Sequence, residues 1–289
     1  MLPLTNLEKV EYPADAKLLI IHADDLGMCK SENEASIYAM ENGMVNSASI
    51  MVPCAQFEEI AAYGLSNNKA DFGVHLTLTS EWEEYKWKPV LPPHRVSSLV
   101  DKDGYFHASS AAVHANAHVQ DVEQELRAQI ERYISVGLKP THLDGHMFVI
   151  ISNPEFLKVY LHLGREYKLP VLLNEQLISY FEYNLNHYTT ENDFVLDNLF
   201  IASPVDYESG MSEYYTQVIQ NLPAGVNCLL VHTAFNNNEM KAITGDVHYG
   251  SRWRQMDFDF FTSKYCKELL HENNIQLITW KEIKQKLID

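Results

Sequence analysis

Carboxylate and imidazole side chains stand at the ends of several apolar runs in this chain of 289 residues. Asp24 and Asp25 directly follow the apolar run 18–21, and His75 lies in the alternating segment 71–79. Carboxylates and imidazoles are ligands for zinc and other first-row metals, and they are common general acids and bases. These residues could therefore bind a metal ion, transfer protons, or do both. Taken alone, Asp24 and Asp25 could equally form a turn or cap a helix.

The segment 142–146, HLDGH, is the densest cluster of such residues. It holds two histidines and a carboxylate directly after a predicted strand, a composition typical of metal or catalytic sites. His232 ends a second strongly apolar run, 226–232. A single histidine in an apolar strand is more often a hydrogen-bonded core residue than a ligand, so neither His75 nor His232 indicates a site by itself. Together these residues predict a group of carboxylates and imidazoles on one rim of the fold.

Strand-like and helix-like patterns alternate along the chain, and they determine how these residues are positioned. Strands are predicted at 18–21, 45–52, 71–79, 141–143, 171–173, 226–232 and 275–278. Helices are predicted at 31–42, 56–65, 119–137, 154–167, 213–221, 257–272 and 281–287. The alternation favours a parallel sheet with right-handed crossovers. The predicted fold class is α/β: a (β/α) barrel-like fold, that is, an incomplete or distorted TIM-type barrel with about seven parallel strands. No glycine-rich phosphate loop follows the first strand, which disfavours an open nucleotide-binding sheet.

Two stretches interrupt this alternation, near 80–118 and 174–208, and we interpret them as insertions in a single domain that spans residues 1–289. Long segments with little periodicity are often lids or binding loops. The first insertion contains Trp82 and Trp87, whose rings could stack on a sugar or pack against the barrel. The sequence leaves both interpretations open.

The chain carries 39 acidic and 22 basic residues, which gives a formal net charge of -17. This charge argues against binding to nucleic acids or anionic membranes and favours a neutral or cationic substrate. The N-terminal segment lacks a basic region followed by an apolar one, so we expect no signal peptide and a cytoplasmic protein. The four cysteines are dispersed without a CxxC pair, so we expect free thiols rather than disulfides or a zinc framework.

In sequence order, these motifs resemble those of the YdjC-like carbohydrate deacetylase family, which includes the chitooligosaccharide deacetylases. The resemblance extends over most of the chain, between residues 17 and 287. The matching features are the segments HADDLG, GMVNSASIMV, GVHLTLT, KPTHLDGH and LLVHTAF, and a C-terminal pattern of an arginine, a long helix and ITWKEI. The resemblance implies a (β/α)-barrel-like fold and the metal-dependent hydrolysis of an acetamide group on an N-acetylated mono- or oligosaccharide.

The resemblance also implies roles for individual residues at matching motif positions. Asp25, His75 and His146 would bind one divalent metal ion, zinc or magnesium. Asp24 would be the general base, and His232 would be the general acid. Weaker assignments, as contacts to the substrate or supports of the metal ligands, are given to His142, Asp144 and Asn174.

After the fifth predicted strand, where many relatives have an arginine, this chain reads LLNEQ, with Asn174 and Glu175, so the resemblance does not determine the substrate. Two alternatives therefore stay open: a metal-dependent hydrolase of another amide or ester, and a sugar-binding or regulatory barrel that is catalytically silent. A complete set of a base, an acid and metal ligands disfavours the second alternative, because a protein that only binds a sugar needs neither acid nor base. The resemblance and the aromatic residues are also compatible with a homodimer.

Overall fold

The strands of the sheet run parallel to one another, as the alternation of strands and helices predicts. The computed structural model describes residues 4–245 and 247–287. The strands are β1 Lys17–Leu26, β2 Ser47–Ile50, β3 Phe72–Leu76, β4 Leu143–Gly145, β5 Asn198–Ile201, β6 Gly225–Val231 and β7 Ile275–Leu277. The helices are α1 Asn6–Lys9, α2 Lys30–Asn42, α3 Phe57–Ser66, α4 Ser110–Asn116, α5 Val119–Ser135, α6 Pro154–Tyr167, α7 Glu175–Ser179, α8 Pro204–Ser209, α9 Met211–Gln220, α10 Asn238–Thr244, α11 Ser251–Phe261, α12 Lys264–Glu272 and α13 Trp280–Leu287. Short 3₁₀ turns cover Pro93–Arg95, Ser97–Leu99, His146–Phe148 and Leu185–His187.

The sheet curls into an incomplete barrel, and β1 is one of its central strands. Its order is β4-β3-β2-β1-β6-β5, and β7 pairs with the beginning of β1, whereas β2 pairs with its end. Beyond β4, isolated parallel bridges continue the sheet: Leu143 pairs with Val171, and Asn174 pairs with Leu196, which precedes β5. The predicted fold class, an incomplete barrel of parallel strands, is therefore confirmed. The predicted strand at 171–173 contributes the bridge at Val171 and forms no regular ladder among the described residues.

Two other element predictions need correction. Strand β5 lies inside the stretch 174–208, which the sequence pattern predicts to be irregular. This strand has only four half-buried residues, which is too short a run to show a periodicity. The single helix predicted at 257–272 is two helices, α11 and α12. The side chain of Ser263 caps the second of these helices by accepting a hydrogen bond from the Cys266 N–H.

Strand β1 is buried on both faces, which explains its continuous apolar run. Leu19 and Ile21 pack in the large core, whereas Leu18 and Ile20 pack in a second cluster that includes Trp280 of α13. Burying each such side chain contributes about 1.5 to 3 kcal/mol. Packing on both faces of the sheet therefore fixes the position of β1, including that of its carboxyl end.

The first insertion packs onto the barrel through polar groups of α5. The carboxylate of Glu125 accepts hydrogen bonds from the backbone N–H groups of Val90 and Leu91, at 2.8 and 3.0 Å. Trp87 is buried, and its indole N–H donates to the Thr79 carbonyl at 2.7 Å. Trp87 thus anchors the segment to the barrel.

Across residues 4–245 and 247–287, no helix is both long and apolar enough to cross a bilayer.

Gly73 in β3 gives a test of the packing under the carboxyl ends of the strands. A Cβ atom at residue 73 would lie 2.5 Å from two ring atoms of His142. The His142 ring has little room to move, because it stacks on Trp280 with the ring centroids 5.0 Å apart. We expect Gly73→Ala to lower the free energy of unfolding by about 1 to 3 kcal/mol, measured by urea denaturation.

The matching control is the same substitution in a His142→Ala background. Gly73→Ala should cost less there, because the ring that it would meet is gone, and a double-mutant cycle measures the difference. An equal cost in the two backgrounds would contradict this description of the packing.

Candidate active site

Asp24 and Asp25 lie at a β-bulge near the carboxyl end of β1. Ala23 pairs with Ala48 and Leu26 pairs with Ile50, so β1 advances by three residues where β2 advances by two. Asp25 has a left-handed backbone with φ of 70°, which is uncommon outside glycine. In a regular strand, neighbouring side chains point to opposite faces. The bulge brings both carboxylates to the lining of one cleft.

Three atoms that could bind a metal ion, one from Asp25 and two from histidines of distant segments, lie close together. The Asp25 Oδ1 atom lies 3.3 Å from His75 Nε2 and 2.9 Å from His146 Nδ1, and these two nitrogens are 3.3 Å apart. Asp25 Oδ1 is buried and makes no hydrogen bond of acceptable geometry with any described residue. Ligands at about 2.0 to 2.2 Å from a zinc ion stand roughly 3 to 3.6 Å from one another. The three atoms therefore fit the donor set of a single metal ion.

The far nitrogen of each of these histidines contacts a carboxylate. His75 Nδ1 lies 2.9 Å from Asp144 Oδ1, and His146 Nε2 lies 3.0 Å from Glu81 Oε1. A carboxylate at that position fixes the tautomer of a metal-binding histidine and orients its ring. Burial opposes protonation, but Asp144 raises the pKa of His75, and Glu81 and Asp25 raise the pKa of His146 to about 9. A metal ion would compete with protons for the nitrogens that face Asp25.

Asp24 lies between two further histidines. Its Oδ1 atom is 3.3 Å from His22 Nε2, and its Oδ2 atom is 3.9 Å from His232 Nε2. Burial raises the pKa of Asp24 to about 6. Burial, together with the nearby Arg254 guanidinium, lowers the pKa of His232 to about 3. At neutral pH Asp24 is therefore a carboxylate that can accept a proton, and His232 is uncharged.

Arg254 of α11 binds the other side of Asp25. Its guanidinium donates to Asp25 Oδ2 at 2.8 Å, to Glu32 Oε1 at 2.7 Å and to the Tyr249 carbonyl at 2.8 Å. Burial would raise the pKa of Asp25, but His146 and Arg254 hold it well below its usual value. Burial raises the pKa of Glu32 to about 8, although Arg254 acts against that rise. Arg254 thus holds Asp25 as an oriented carboxylate.

These groups line a cleft of about 310 Å³ at the carboxyl ends of the strands. Its lining comprises Asp24, Asp25, His75, Glu81, Trp82, Gly145, His146, Met147, Phe148, Ile201, His232, His248, Tyr249 and Arg254. The structure therefore brings together the predicted metal ligands and both predicted catalytic residues. Of the two tryptophans in the first insertion, Trp82 lines the cleft, whereas Trp87 packs against the barrel.

Three residues expected near the substrate lie outside this lining. Asp144 supports His75 from below, as the weaker assignment allowed. His142 lies deeper, between Trp280 and His22, so its assignment as a substrate contact needs correction. Asn174 also needs correction. Its side chain caps α7 and donates to the Leu196 carbonyl at 3.1 Å, so it holds the barrel edges together.

Sequence reasoning missed Glu81, His22, Arg254 and Glu32. His22 is the first residue of the HADDLG motif and Glu81 follows the GVHLTLT motif by two residues, so position alone could have drawn attention to them. The resemblance includes an arginine before the C-terminal helix but gives it no role, so little points to Glu32 and Arg254. They lie 222 residues apart, and each stands in a helix where a charged residue normally indicates a solvated face.

This chain is similar in sequence to proteins of one known family. A family model described as "YdjC-like protein" matches residues 18–272. A carbohydrate deacetylase from Brevibacillus brevis is 30% identical over 272 residues, which cover 92% of this chain and 99% of the relative. A chitooligosaccharide deacetylase from Yersinia enterocolitica is 31% identical over 163 residues, which cover 55% of this chain and 60% of the relative.

A solved structure extends the similarity to three dimensions. The crystal structure of a candidate cellobiose-phosphate cleavage protein from Enterococcus faecalis superimposes with a TM-score of 0.78 at 26% identity. The match covers 93% of this chain and 99% of that protein. The barrel described above is therefore the fold of that protein as well.

Arg254 gives a test of the charge balance in this site. Arg254→Met would leave Asp25 and Glu32 as buried acids without their cation. We expect a loss of about 3 to 5 kcal/mol in the free energy of unfolding, measured by urea denaturation at pH 7.

Arg127→Met is the matched control, because Arg127 is a surface arginine that also pairs with two carboxylates, Glu123 and Glu166. Exposed pairs contribute less than about 1 kcal/mol, so this control should change stability little. Equal effects of the two substitutions would contradict the role given to Arg254.

Proposed function

Because the chain belongs to the YdjC-like protein family, we propose that it is a carbohydrate deacetylase that depends on one divalent metal ion. As such it is a hydrolase that cleaves the amide bond of an N-acetylated mono- or oligosaccharide and releases acetate. One observation carries the proposal: Asp25 Oδ1, His75 Nε2 and His146 Nδ1 lie within 3.3 Å of one another beside Asp24, in a cleft. The deacetylase relatives, which match over most or half of the chain, support the same reaction.

Asp25, His75 and His146 would hold the ion, and two imidazoles with one carboxylate suit zinc, with magnesium as the other candidate. A divalent ion there supplies Lewis-acid chemistry, which polarises an amide carbonyl and makes water acidic enough to attack it. Asp144 and Glu81 keep the two histidine rings oriented. Arg254 keeps Asp25 charged and in place.

Asp24 is the base in this proposal, and His232 is the acid. Asp24 takes a proton from the attacking water, and the departing amine needs a proton in return. Since His232 is uncharged before the reaction, its proton must arrive during the same turnover. Asp24 Oδ2 lies 3.9 Å from His232 Nε2, and once it holds the proton of the attacking water it can supply that proton to His232. Each such proton transfer typically contributes about 10²- to 10⁴-fold in rate.

The walls of the cleft favour an uncharged sugar. Trp82, Phe148 and Tyr249 offer aromatic surface on which a sugar ring can stack. Among the described residues that line the cleft, Arg254 is the only lysine or arginine. Its guanidinium already donates hydrogen bonds to three groups. An anionic substituent away from the metal ion would therefore meet carboxylates without a free lysine or arginine to pair with it.

A panel of N-acetylated sugars tests the proposed reaction. The panel is N-acetylglucosamine, N,N′-diacetylchitobiose and N-acetylglucosamine 6-phosphate, each with and without a chelator and scored for released acetate. We expect turnover of an uncharged sugar, its loss with chelator, and its recovery on adding zinc or magnesium. The phosphate ester should have at least about tenfold lower kcat/KM than its uncharged parent, a difference of about 1.4 kcal/mol. Release of acetate that is unaffected by the chelator would contradict the proposed metal dependence.

Substitutions separate metal binding from proton transfer. Asp25→Ala, His75→Ala and His146→Ala should each lose the bound metal, measured as equivalents of metal per chain, because each removes one donor of the set. Asp24→Asn should keep a full equivalent of metal and lose about 10²- to 10⁴-fold in kcat, because the amide cannot take the proton. Near-native turnover in Asp24→Asn would remove Asp24 as the base. Circular dichroism checks that every variant is folded.

A further inference from the structure

Glu81 contacts His146 from the wall of the cleft, and none of the motifs that identify the family contains it. Both of its carboxylate oxygens lie within hydrogen-bonding distance of His146 Nε2, at 3.0 and 3.1 Å. The His146 side chain is 4% exposed, whereas the Glu81 side chain is 16% exposed and lines the cleft. Glu81 therefore contacts a predicted metal ligand and faces the space available to a substrate.

The local backbone gives little support to the His146 ring. His146 follows the three-residue strand β4 and opens a 3₁₀ turn in which Met147 and Phe148 both have left-handed backbones, with φ of 55° and 54°. His75, in contrast, stands within β3, and its far nitrogen contacts the buried pair Asp144 and Ser49. The orientation of His146 consequently depends on a partner outside its own segment.

We propose that Glu81 is a positioning residue for metal binding, an inference that rests on the proposed function. Its carboxylate accepts the proton on His146 Nε2, which leaves Nδ1 without a proton and facing Asp25 and His75. This contact joins residues 65 positions apart in the chain. It therefore ties the first insertion, 80–118, to the metal ligands.

The same insertion carries part of the substrate wall. Trp82 lines the cleft directly after Glu81, and the ring of Trp87 lies 6.2 Å from the His146 ring, edge to face. Ser80 is held by a hydrogen bond from its N–H to the His107 carbonyl at 3.0 Å. Because coupling between two sites is reciprocal, a metal ion that orients His146 should also order the segment around Glu81.

Metal affinity of the full chain tests this role without relying on catalysis. We expect Glu81→Ala to weaken zinc binding by about 10- to 100-fold in competition with a chelating dye, because His146 loses the partner of its far nitrogen. Glu81→Gln keeps an acceptor oxygen without the charge and should lie between Glu81→Ala and the unchanged protein. Glu83→Ala is the matched control. Glu83 is an exposed carboxylate of the same segment, and its removal should leave zinc affinity unchanged.

Hydrogen exchange gives a second readout that a general loss of stability would not reproduce. Zinc should slow exchange of the backbone around residues 80–90 in the unchanged protein and in Glu83→Ala, but not in Glu81→Ala. Zinc affinity of Glu81→Ala and Glu81→Gln equal to that of the unchanged protein would overturn the inference and leave the proposed function intact. If the unchanged protein bound no divalent metal, the proposed function would fail first, and the inference would fail with it.

Discussion

Side chains of neighbouring residues in a regular strand point to opposite faces, so two adjacent carboxylates can line one cleft only where this alternation is broken. The geometry of the whole site depends on the position of that break. The bulge at Asp24 and Asp25 supplies it, with Asp25 in a left-handed backbone that costs roughly 1 to 3 kcal/mol. Hydrogen bonds fix the turn: the Met28 N–H donates to the Asp25 carbonyl, and the Gly27 N–H donates to Asn33 Oδ1. A strained residue held in this way at the mouth of the barrel places Asp25 beside His75 and His146 and leaves Asp24 beside His22 and His232.

Charge balance is the second constraint on this site. Asp24, Asp25 and Asp144 are all buried near one another, in a protein whose net charge is already strongly negative. Buried charges persist only when they are paired or hydrogen-bonded. Arg254 compensates Asp25 on one side, and histidine rings face the remaining carboxylates. A divalent cation among Asp25, His75 and His146 would add the positive charge that this group of acids favours.

The fold and the main candidate site residues can be predicted because both leave recognisable patterns of residue type and spacing in the sequence. The apolar run of β1 and the helix α6, Pro154–Tyr167, are visible in the residue pattern, and histidines beside carboxylates are chemically distinctive. The spacing of residues in the sequence does not show how deeply each side chain lies in the fold. His142 directly precedes β4 and Asp144 stands within it, two residues apart, yet the first stacks on Trp280 and the second reaches His75. Contacts across long separations, such as that of Arg254 with Glu32, are likewise determined by helix packing and leave no local trace.

We propose that one divalent ion is held by three ligand atoms, which come from β1, β3 and the turn after β4. Anomalous X-ray diffraction from crystals grown with zinc would locate this ion. We expect a single strong peak within bonding distance of Asp25 Oδ1, His75 Nε2 and His146 Nδ1. A peak in the neighbouring buried cluster of His22, His142 and Asp144, or no peak near Asp25, would contradict this proposal.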